Sequence, residues 1–163
     1  TEEMVTRRKE EVTLHGEYFT PHVIEPAFGI DRIIWHILDH GYSEIEKEGG
    51  RYTILGLKQP VAPFDVVTLP LFDKDGMGDL ARQISSRIDS LPGIQGDMDS
   101  SRSIGRRYAR ADEIGVPWAI TVDHTSLEDG TVTVRRRDDQ AQVRTEVESL
   151  LSHLSSGTVG DLF

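Results

Sequence analysis

The sequence predicts a three-layer α/β/α domain built on a mixed, mostly parallel sheet of about five strands. From residue 64 onward, short apolar runs of strand length alternate with longer segments whose apolar residues recur at three- and four-residue spacing. Glycine and proline separate these segments. Such an alternation over roughly 100 residues is typical of βα units, in which helices cover both faces of a parallel sheet. A tight turn before the last strand makes the predicted sheet mixed.

The region before residue 64 divides into three parts. Residues 1–20 are polar and without periodicity, which predicts a tail or connector. Residues 22–25 are a short apolar run closed by Pro26, which predicts a strand, and apolar residues at helical spacing predict a helix over 28–40. Residues 42–63 are rich in Glu, Gly and Pro and are the best candidate for a domain boundary.

The alternating part contains strand-like and helix-like segments in turn. Runs of apolar and β-branched residues predict strands at 64–69, 94–98, 118–122 and 131–135. Segments with one apolar face predict helices at 77–91, 104–114 and 140–154. Glu128, Asp129 and Gly130 predict a hairpin turn between the last two strands.

Composition excludes several classes of protein. The 163 residues suffice for one well-packed domain and a fragment of another. The absence of cysteine excludes a disulfide scaffold and any zinc–thiolate site. No apolar run approaches the roughly 20 residues that a membrane-spanning helix needs. The first residues lack the apolar segment of a secretory signal, so we expect a cytoplasmic protein without membrane contact.

The charge distribution leaves two interpretations open. A net charge of -10 argues against non-specific binding to nucleic acid. Between Asp97 and Arg144, however, eight arginines nearly balance nine acidic residues. Arginine hydrogen-bonds phosphates and base edges with two donors at once, which favours RNA binding, whereas ordinary surface ion pairs are the alternative. The chain's 28 carboxylates and only four lysines are also typical of proteins that need high salt.

Two segments carry groups that bind charged ligands. Glu25 ends the predicted strand and Arg32 lies in the following helix, so they offer a carboxylate to a divalent cation and a guanidinium to a phosphate. A structural ion pair is the alternative. The start of the helix at 104–114 carries serines, a tyrosine and four arginines, which suit single-stranded RNA, unless Asp112 and Glu113 neutralise the cations. These arginines are Arg102, Arg106, Arg107 and Arg110.

The same segments resemble a known enzyme family. The run PHVIEPAFGIDRIIWHILDH resembles motif 3 of the class II aminoacyl-tRNA synthetases, and specifically of the archaeal and eukaryotic type of glycyl-tRNA synthetase. The runs VAPFDVVTLPL, DSSRSIGRRYARADEIGVPWAITVD and DGTVTVRRRDDQAQVR resemble the C-terminal anticodon-binding domain of that family. The resemblance covers residues 22–154. It implies that residues 21–56 are the C-terminal strand and helix of a class II catalytic domain, and that residues 57–163 are an anticodon-binding domain.

The resemblance implies roles for the motif 3 residues. Glu25 matches the carboxylate that helps to hold ATP through Mg²⁺, and Arg32 matches the arginine that clamps ATP. Ala27 stands where the family usually has a serine of the glycine pocket, and Gly29 is assigned to substrate binding with it. A methyl group cannot hydrogen-bond the substrate, so this part of glycine recognition is altered.

The resemblance also implies RNA contacts at the end of the last predicted strand. Arg135, Arg137 and Asp138 match positions that meet the anticodon bases in related domains. Arg136 replaces an acid of the family pattern and adds a cation for phosphate contacts. With the four arginines around the helix at 104–114, these residues form the predicted RNA-binding set.

The implied ligands of the intact enzyme are tRNA(Gly), glycine, and ATP with Mg²⁺, and the implied assembly is a homodimer formed through the catalytic region. Motifs 1 and 2 do not fit into the residues before His22, so we expect this chain alone to be inactive and to contribute anticodon recognition. A non-enzymatic accessory protein that binds RNA, DNA or a partner is the alternative, which Ala27 favours and the retained Glu25 and Arg32 disfavour. A small-molecule enzyme is typical of the fold class, but no nucleophile or cofactor loop supports it.

Overall fold

The computed structural model describes residues 7–47 and 50–163, in which seven strands form two separate sheets. The strands are β1 (Tyr42–Lys47), β2 (Gly50–Leu55), β3 (Val66–Pro70), β4 (Gly96–Met98), β5 (Trp118–Val122), β6 (Thr131–Arg136) and β7 (Gln142–Glu146). The helices are α1 (Ile30–Gly41), α2 (Met77–Asp89), α3 (Ile104–Ile114), α4 (His124–Asp129) and α5 (Val147–Ser156).

The larger sheet has the strand order β4-β3-β5-β6-β7. The interior strand β3 pairs in parallel with β4 and with β5, while β6 pairs antiparallel with both β5 and β7. Four of the five strands therefore run in one direction and β6 runs against them. The predicted mixed sheet of five strands is confirmed.

Two apolar clusters lie on opposite faces of this sheet. Successive strand residues point to opposite faces. Accordingly Val66 packs in a cluster with α2 and α5, whereas Val67 packs in a second cluster with Ala111 of α3. All five residues of β3 are buried, as expected for a central strand that is covered on both sides. The predicted three-layer arrangement is therefore confirmed.

The predicted hairpin turn at Glu128, Asp129 and Gly130 is wrong, because α4 connects β5 to β6. The Asp123 carboxylate accepts a hydrogen bond from the Ser126 N–H (3.0 Å), and the Ser126 hydroxyl accepts one from the Asp123 N–H (3.1 Å). This capping box starts a helix, and Gly130, at φ 70°, ends it in the left-handed conformation. Asp129–Gly130 is thus a helix C-terminus rather than a two-residue turn.

The predicted helix over 140–154 is only partly correct. Its first part is the strand β7, which pairs antiparallel with β6, and the helix α5 begins at Val147. Val143 and Thr145 alternate with more exposed neighbours, and Val143 lies opposite Val134. This two-residue period of β-branched side chains decides the local structure in favour of a strand.

The predicted strand at 22–25 is also wrong. Residues 7–29, all of which the structure describes, contain no helix or strand and are exposed. A strand needs a neighbour for its backbone hydrogen bonds, and the described residues supply none there. Residues 1–6 of the predicted tail lie outside the described residues.

The predicted helix over 28–40 is confirmed as α1, and it exposes its apolar side chains. None of its residues is buried, with Ile30 and Trp35 exposed by 70% and 69%. A helix with this amphipathic pattern normally covers its apolar face with another element.

The region 42–63 contains an antiparallel hairpin, β1–β2, that the sequence did not predict. β2 packs against α3, and Leu57, two residues after the end of β2, is buried. Gly115, at the end of α3, allows this approach: it has φ 88°, and a Cβ there would lie 2.8 Å from the Leu57 side chain and 3.0 Å from the Leu55 carbonyl.

Candidate nucleic-acid interface

The predicted RNA-binding residues fall into two groups at opposite edges of the five-stranded sheet. Arg102 and Arg106 lie at the start of α3, which follows β4 and therefore stands at the carboxyl edge of the parallel strands. Arg136 ends β6 opposite Trp118, the first residue of β5, at the other edge. The 11 residues of α3 span about 16 Å, and they run from the first edge toward the second. The structure therefore does not bring the predicted set together as one site.

Arg135 is buried in an ion pair with Asp112 of α3. Two guanidinium nitrogens donate to the two carboxylate oxygens, at 2.9 and 2.8 Å, and the side chains are 5% and 1% exposed. The Tyr52 hydroxyl of β2 also donates to Asp112, and the Tyr108 ring lies 4.8 Å from the Arg135 guanidinium. Burial and then this hydrogen bond raise the pKa of Tyr52. Burial alone would lower the pKa of Arg135, but Asp112 outweighs it and raises that pKa. This network joins the hairpin, α3 and the sheet.

Arg137 is buried as well and holds two backbone segments together. One guanidinium nitrogen donates to the carbonyls of Leu57 and Gly115, both at 2.8 Å, and its Nε donates to Asp138 at 2.8 Å. The Arg137 side chain is 5% exposed and that of Asp138 is 67% exposed. Of this pair, only Asp138 is accessible to a ligand.

Arg136 lies on an aromatic stack that the sequence did not predict. Its guanidinium is 4.5 Å from the Phe163 ring, which stacks on Trp118 at 5.8 Å, and its Nε donates to Asp139 at 2.8 Å. Trp118 is half-buried and packs against the apolar cluster that contains Val66. Nothing in the local sequence pattern indicates that Phe163 returns to this position.

In the first group, Arg107 and Arg110 are engaged by other parts of the protein. Arg107 is 3% exposed and, among the described residues, donates only to backbone carbonyls. Arg110 is 40% exposed and forms an ion pair with Asp99. Burial alone would raise the pKa of Asp99, but hydrogen bonds from Arg110 and Ser101 outweigh it and lower that pKa.

The remaining members, Arg102 and Arg106, are exposed, and neither makes an ion pair within residues 7–47 and 50–163. Arg102 borders a depression of about 250 Å³ between the loop after β3 and the start of α3, and Arg106 lies nearby on the first turn of α3. Phe72, which is 48% exposed, and Lys74, whose ammonium is 5.5 Å from the Phe72 ring, extend this surface. The cationic, aromatic and hydroxyl side chains at and around this depression form one surface, which we call the α3 rim. Its residues are Phe72, Lys74, Ser100, Arg102, Ser103 and Arg106.

Phe72 and Lys74 were missed in the sequence analysis, although a signal for them exists. They follow a fully buried parallel strand, and ligands of such sheets bind outside the carboxyl ends of the strands.

The motif 3 candidates do not form a site among the described residues. Glu25 and Ala27 lie in the exposed segment before α1, Gly29 precedes its first residue, and Arg32 is exposed on its first turn. No ion pair joins Glu25 to Arg32 among the described side chains. Their roles stay predictions.

The same described residues lack metal-binding and membrane-spanning features. In the described part of the chain, no three acidic or histidine side chains converge as they would around a metal ion. No helix there has the length and apolar character needed to cross a bilayer.

Curated relatives match nearly the whole chain but are much longer. A glycine–tRNA ligase of Methanothrix thermoacetophila is 45% identical over 159 residues, which cover 96% of this chain and 27% of the relative. The glycine–tRNA ligases of Methanothermobacter thermautotrophicus and Methanocaldococcus jannaschii are 48% and 46% identical, and they match 94% and 90% of this chain. In each of these two the match covers 25% of the relative. The chain thus spans about a quarter of the length of these relatives.

Solved structures and a family model agree on the fold. A prolyl-tRNA synthetase from Cryptosporidium parvum superposes with a TM-score of 0.55 at 17% identity, over 66% of this chain and 25% of that one. The RNA binding domain of threonyl-tRNA synthetase from Cryptosporidium parvum gives 0.53 at 18% identity, over 58% of this chain and 23% of that one. The model of the anticodon binding domain family matches residues 65–156, from just before β3 to the end of α5. With this match over more than half of its length, the chain belongs to the anticodon binding domain family.

Proposed function

We propose that this chain is the anticodon-recognising part of a glycine–tRNA ligase, which binds the anticodon loop of tRNA(Gly) while the rest of the enzyme attaches glycine. The observation that carries the proposal is the similarity to glycine–tRNA ligases, which runs through more than nine-tenths of the chain. It includes both the segment that resembles motif 3 and the α3 rim.

The α3 rim has the chemistry that an unpaired RNA loop requires. Arg102, Arg106 and Lys74 are exposed cations for phosphates and base edges. Phe72 offers a ring face for a base. Arg135 and Arg137 are engaged inside the protein, so the RNA contacts expected of them fall to the exposed cations instead. The many carboxylates elsewhere would repel RNA and restrict binding to this surface.

The catalytic part of the proposal concerns the longer protein. There Glu25 and Arg32 would act toward ATP and its Mg²⁺, and Ala27 and Gly29 would lie at the glycine pocket. The described residues do not by themselves build such a site, so no catalytic step is derived from them. We propose that the chain alone is inactive, that the whole enzyme is a cytoplasmic homodimer, and that residues 21–56 belong to its catalytic domain and 57–163 to its anticodon-binding domain. The exposed apolar side chains of α1 would then contact the remainder of the catalytic domain.

A binding experiment with this chain tests the proposal. Fluorescence anisotropy would measure the affinity for an anticodon stem-loop that carries a glycine anticodon, and for the same stem with another anticodon, over a range of KCl concentrations. We expect the first RNA to bind more tightly, and we expect Arg106→Ala to weaken binding and to reduce the slope of log K against log salt by about 1.

Arg87→Ala is the matched control, because Arg87 is also an exposed helical arginine but lies on α2, on the opposite face of the sheet. It should leave the affinity unchanged. Equal affinity for the two stem-loops would contradict anticodon recognition by this chain. Equal losses in the Arg106→Ala and Arg87→Ala variants would contradict the placement of the site at the α3 rim.

A further inference from the structure

Arg107 is a buried cation that forms no ion pair with a carboxylate of residues 7–47 or 50–163. It is 3% exposed, and its guanidinium donates to the carbonyls of Pro70, Leu71, Asp99 and Arg102. Its Nε has no acceptor in the part of the chain that the structure describes. Burial lowers the pKa of Arg107. Carbonyl dipoles solvate the cation but do not cancel its charge, and a buried charge without a counter-charge is costly.

The carboxylates nearest to Arg107 in the fold are bound to other arginines. Asp73 accepts a hydrogen bond from Arg82 at 3.1 Å, and Asp99 forms the ion pair with Arg110. Both acids act on Arg107 only through space. Asp73 also lines the depression, but neither acid is hydrogen-bonded to Arg107 among the described residues, so the positive charge of Arg107 is only partly offset.

Arg107 forms part of the wall of the depression at the α3 rim, beside the N-terminus of α3. The amides of Ile104 and Gly105 have no acceptor within the helix, and the positive end of the helix dipole points the same way. The Ser103 side chain does not cap the helix, so its hydroxyl remains available. A Cβ on Gly105 would meet no atom within 4 Å, which shows that the space above the first turn is open.

We propose that this depression is a phosphate seat, in which Arg107 supplies the buried charge while the first amides of α3 and the Ser100 and Ser103 hydroxyls supply donors. The exposed Arg102 closes it from the rim. A phosphate group is the ligand of this chemistry: it is an anion with several acceptor oxygens, and helix N-termini and arginines bind it directly. The inference rests on the proposed function, in which the phosphate is a phosphodiester of the anticodon loop.

Ser103→Asp tests the seat with opposite effects on stability and on binding. An aspartate at this N-cap should accept hydrogen bonds from the first turn and offset the charge of Arg107, so the melting temperature should stay the same or rise. The same carboxylate should repel a phosphate and occupy its donors. We expect stem-loop RNA to bind roughly 10-fold more weakly or worse, as for the loss of a charge-assisted hydrogen bond.

Ser86→Asp is the control, because it makes the same change of net charge at an exposed position of α2. It should leave RNA affinity unchanged. Stem-loop binding that is equally strong in wild type and in Ser103→Asp would overturn the assignment of an RNA phosphate to the seat and leave the proposed function intact.

A titration with inorganic phosphate is the second test, and it distinguishes the phosphate seat from the proposed anticodon recognition. Wild type should show a shift of the Gly105 amide resonance on titration with phosphate, measured against chloride at equal ionic strength, and Ser103→Asp should not. If wild type fails to bind any stem-loop but this shift is present, the proposed function fails and the seat stands as a site for free phosphate. No shift in wild type, together with unchanged RNA binding in Ser103→Asp, would refute the seat.

Discussion

Removal of the Asp112 carboxylate should destabilise the chain more than any surface change near the α3 rim. Asp112→Ala leaves Arg135 with a 5% exposed side chain and without either of its hydrogen bonds to the carboxylate, and it removes the acceptor of the Tyr52 hydroxyl. Breaking one partner of a buried ion pair costs about 3–5 kcal/mol, because the remaining charge stays out of water. A domain of this size is typically stable by about 5–15 kcal/mol, so the variant should lie near the limit of folding.

Urea denaturation followed by circular dichroism measures this change. Arg136→Ala is the matched control, since its ion pair with Asp139 is largely exposed to solvent and should contribute little to stability. The double variant Asp112→Leu, Arg135→Met should be less destabilised than the sum of the single variants, because neither charge is then left unpaired. A loss below about 1 kcal/mol in Asp112→Ala would refute the view that this pair is a buried structural link.

Arg135→Ala has a related consequence for RNA binding. Because Arg135 is enclosed by Asp112 and Tyr108, its removal should weaken binding to glycine and non-glycine stem-loops alike, in proportion to the loss of folded protein. A loss confined to the glycine anticodon, in a variant that remains folded, would instead place Arg135 in contact with RNA, as its resemblance to the family pattern predicts.

Three further outcomes follow from other parts of the structure. Gly115→Ala should lower the free energy of unfolding by about 1 kcal/mol or more, because φ is 88° there and the new Cβ would lie 2.8 Å from the Leu57 side chain. Urea titration measures this loss, and Gly160→Ala is the control because a Cβ at Gly160 would have open space around it. Hydrogen bonds from Arg144 hold the pKa of Asp123 at about 2, below its unfolded value. The ionised Asp123 should therefore add at most about 2 kcal/mol to the free energy of unfolding, and this stabilisation should be present above pH 4 and vanish toward pH 2. The stability difference between wild type and Asp123→Asn should shrink over that interval, and a constant difference would contradict the assignment. The net charge of -10 predicts that the melting temperature rises with KCl into the molar range, and a melting temperature independent of salt would remove that hypothesis.

The fold was largely predictable because its core elements have strong local signals. The helix Ile104–Ile114 and the strand Trp118–Val122 begin and end where periodicity and the Gly115-Val116-Pro117 break place them. The errors lie where two local signals compete. Asp129–Gly130 suits either a hairpin turn or a helix end, and only the capping box of Asp123 and Ser126, several residues upstream, decides between them.

Burial of the arginines was harder to predict, because it depends on partners that are distant in sequence. The alternation in Thr131–Arg136 correctly indicates that Val132 and Val134 share a buried face. It also suggests that Arg135 faces solvent, which would hold for a sheet with one open face. In a three-layer fold both faces are covered, so a central-strand arginine must find a counter-charge, and Asp112 supplies it from α3.

The buried arginines of this chain are of two kinds. Arg135 has its counter-charge inside the protein, and its position is explained by the fold. Arg107 is equally buried but has only carbonyl partners in the part of the chain that the structure describes, while the acids around it are bound to other arginines. Because no carboxylate of the described residues neutralises that charge, an anion from outside should gain the most binding free energy at the start of α3. The exposed Arg102 and Arg106 flank this position in the sequence.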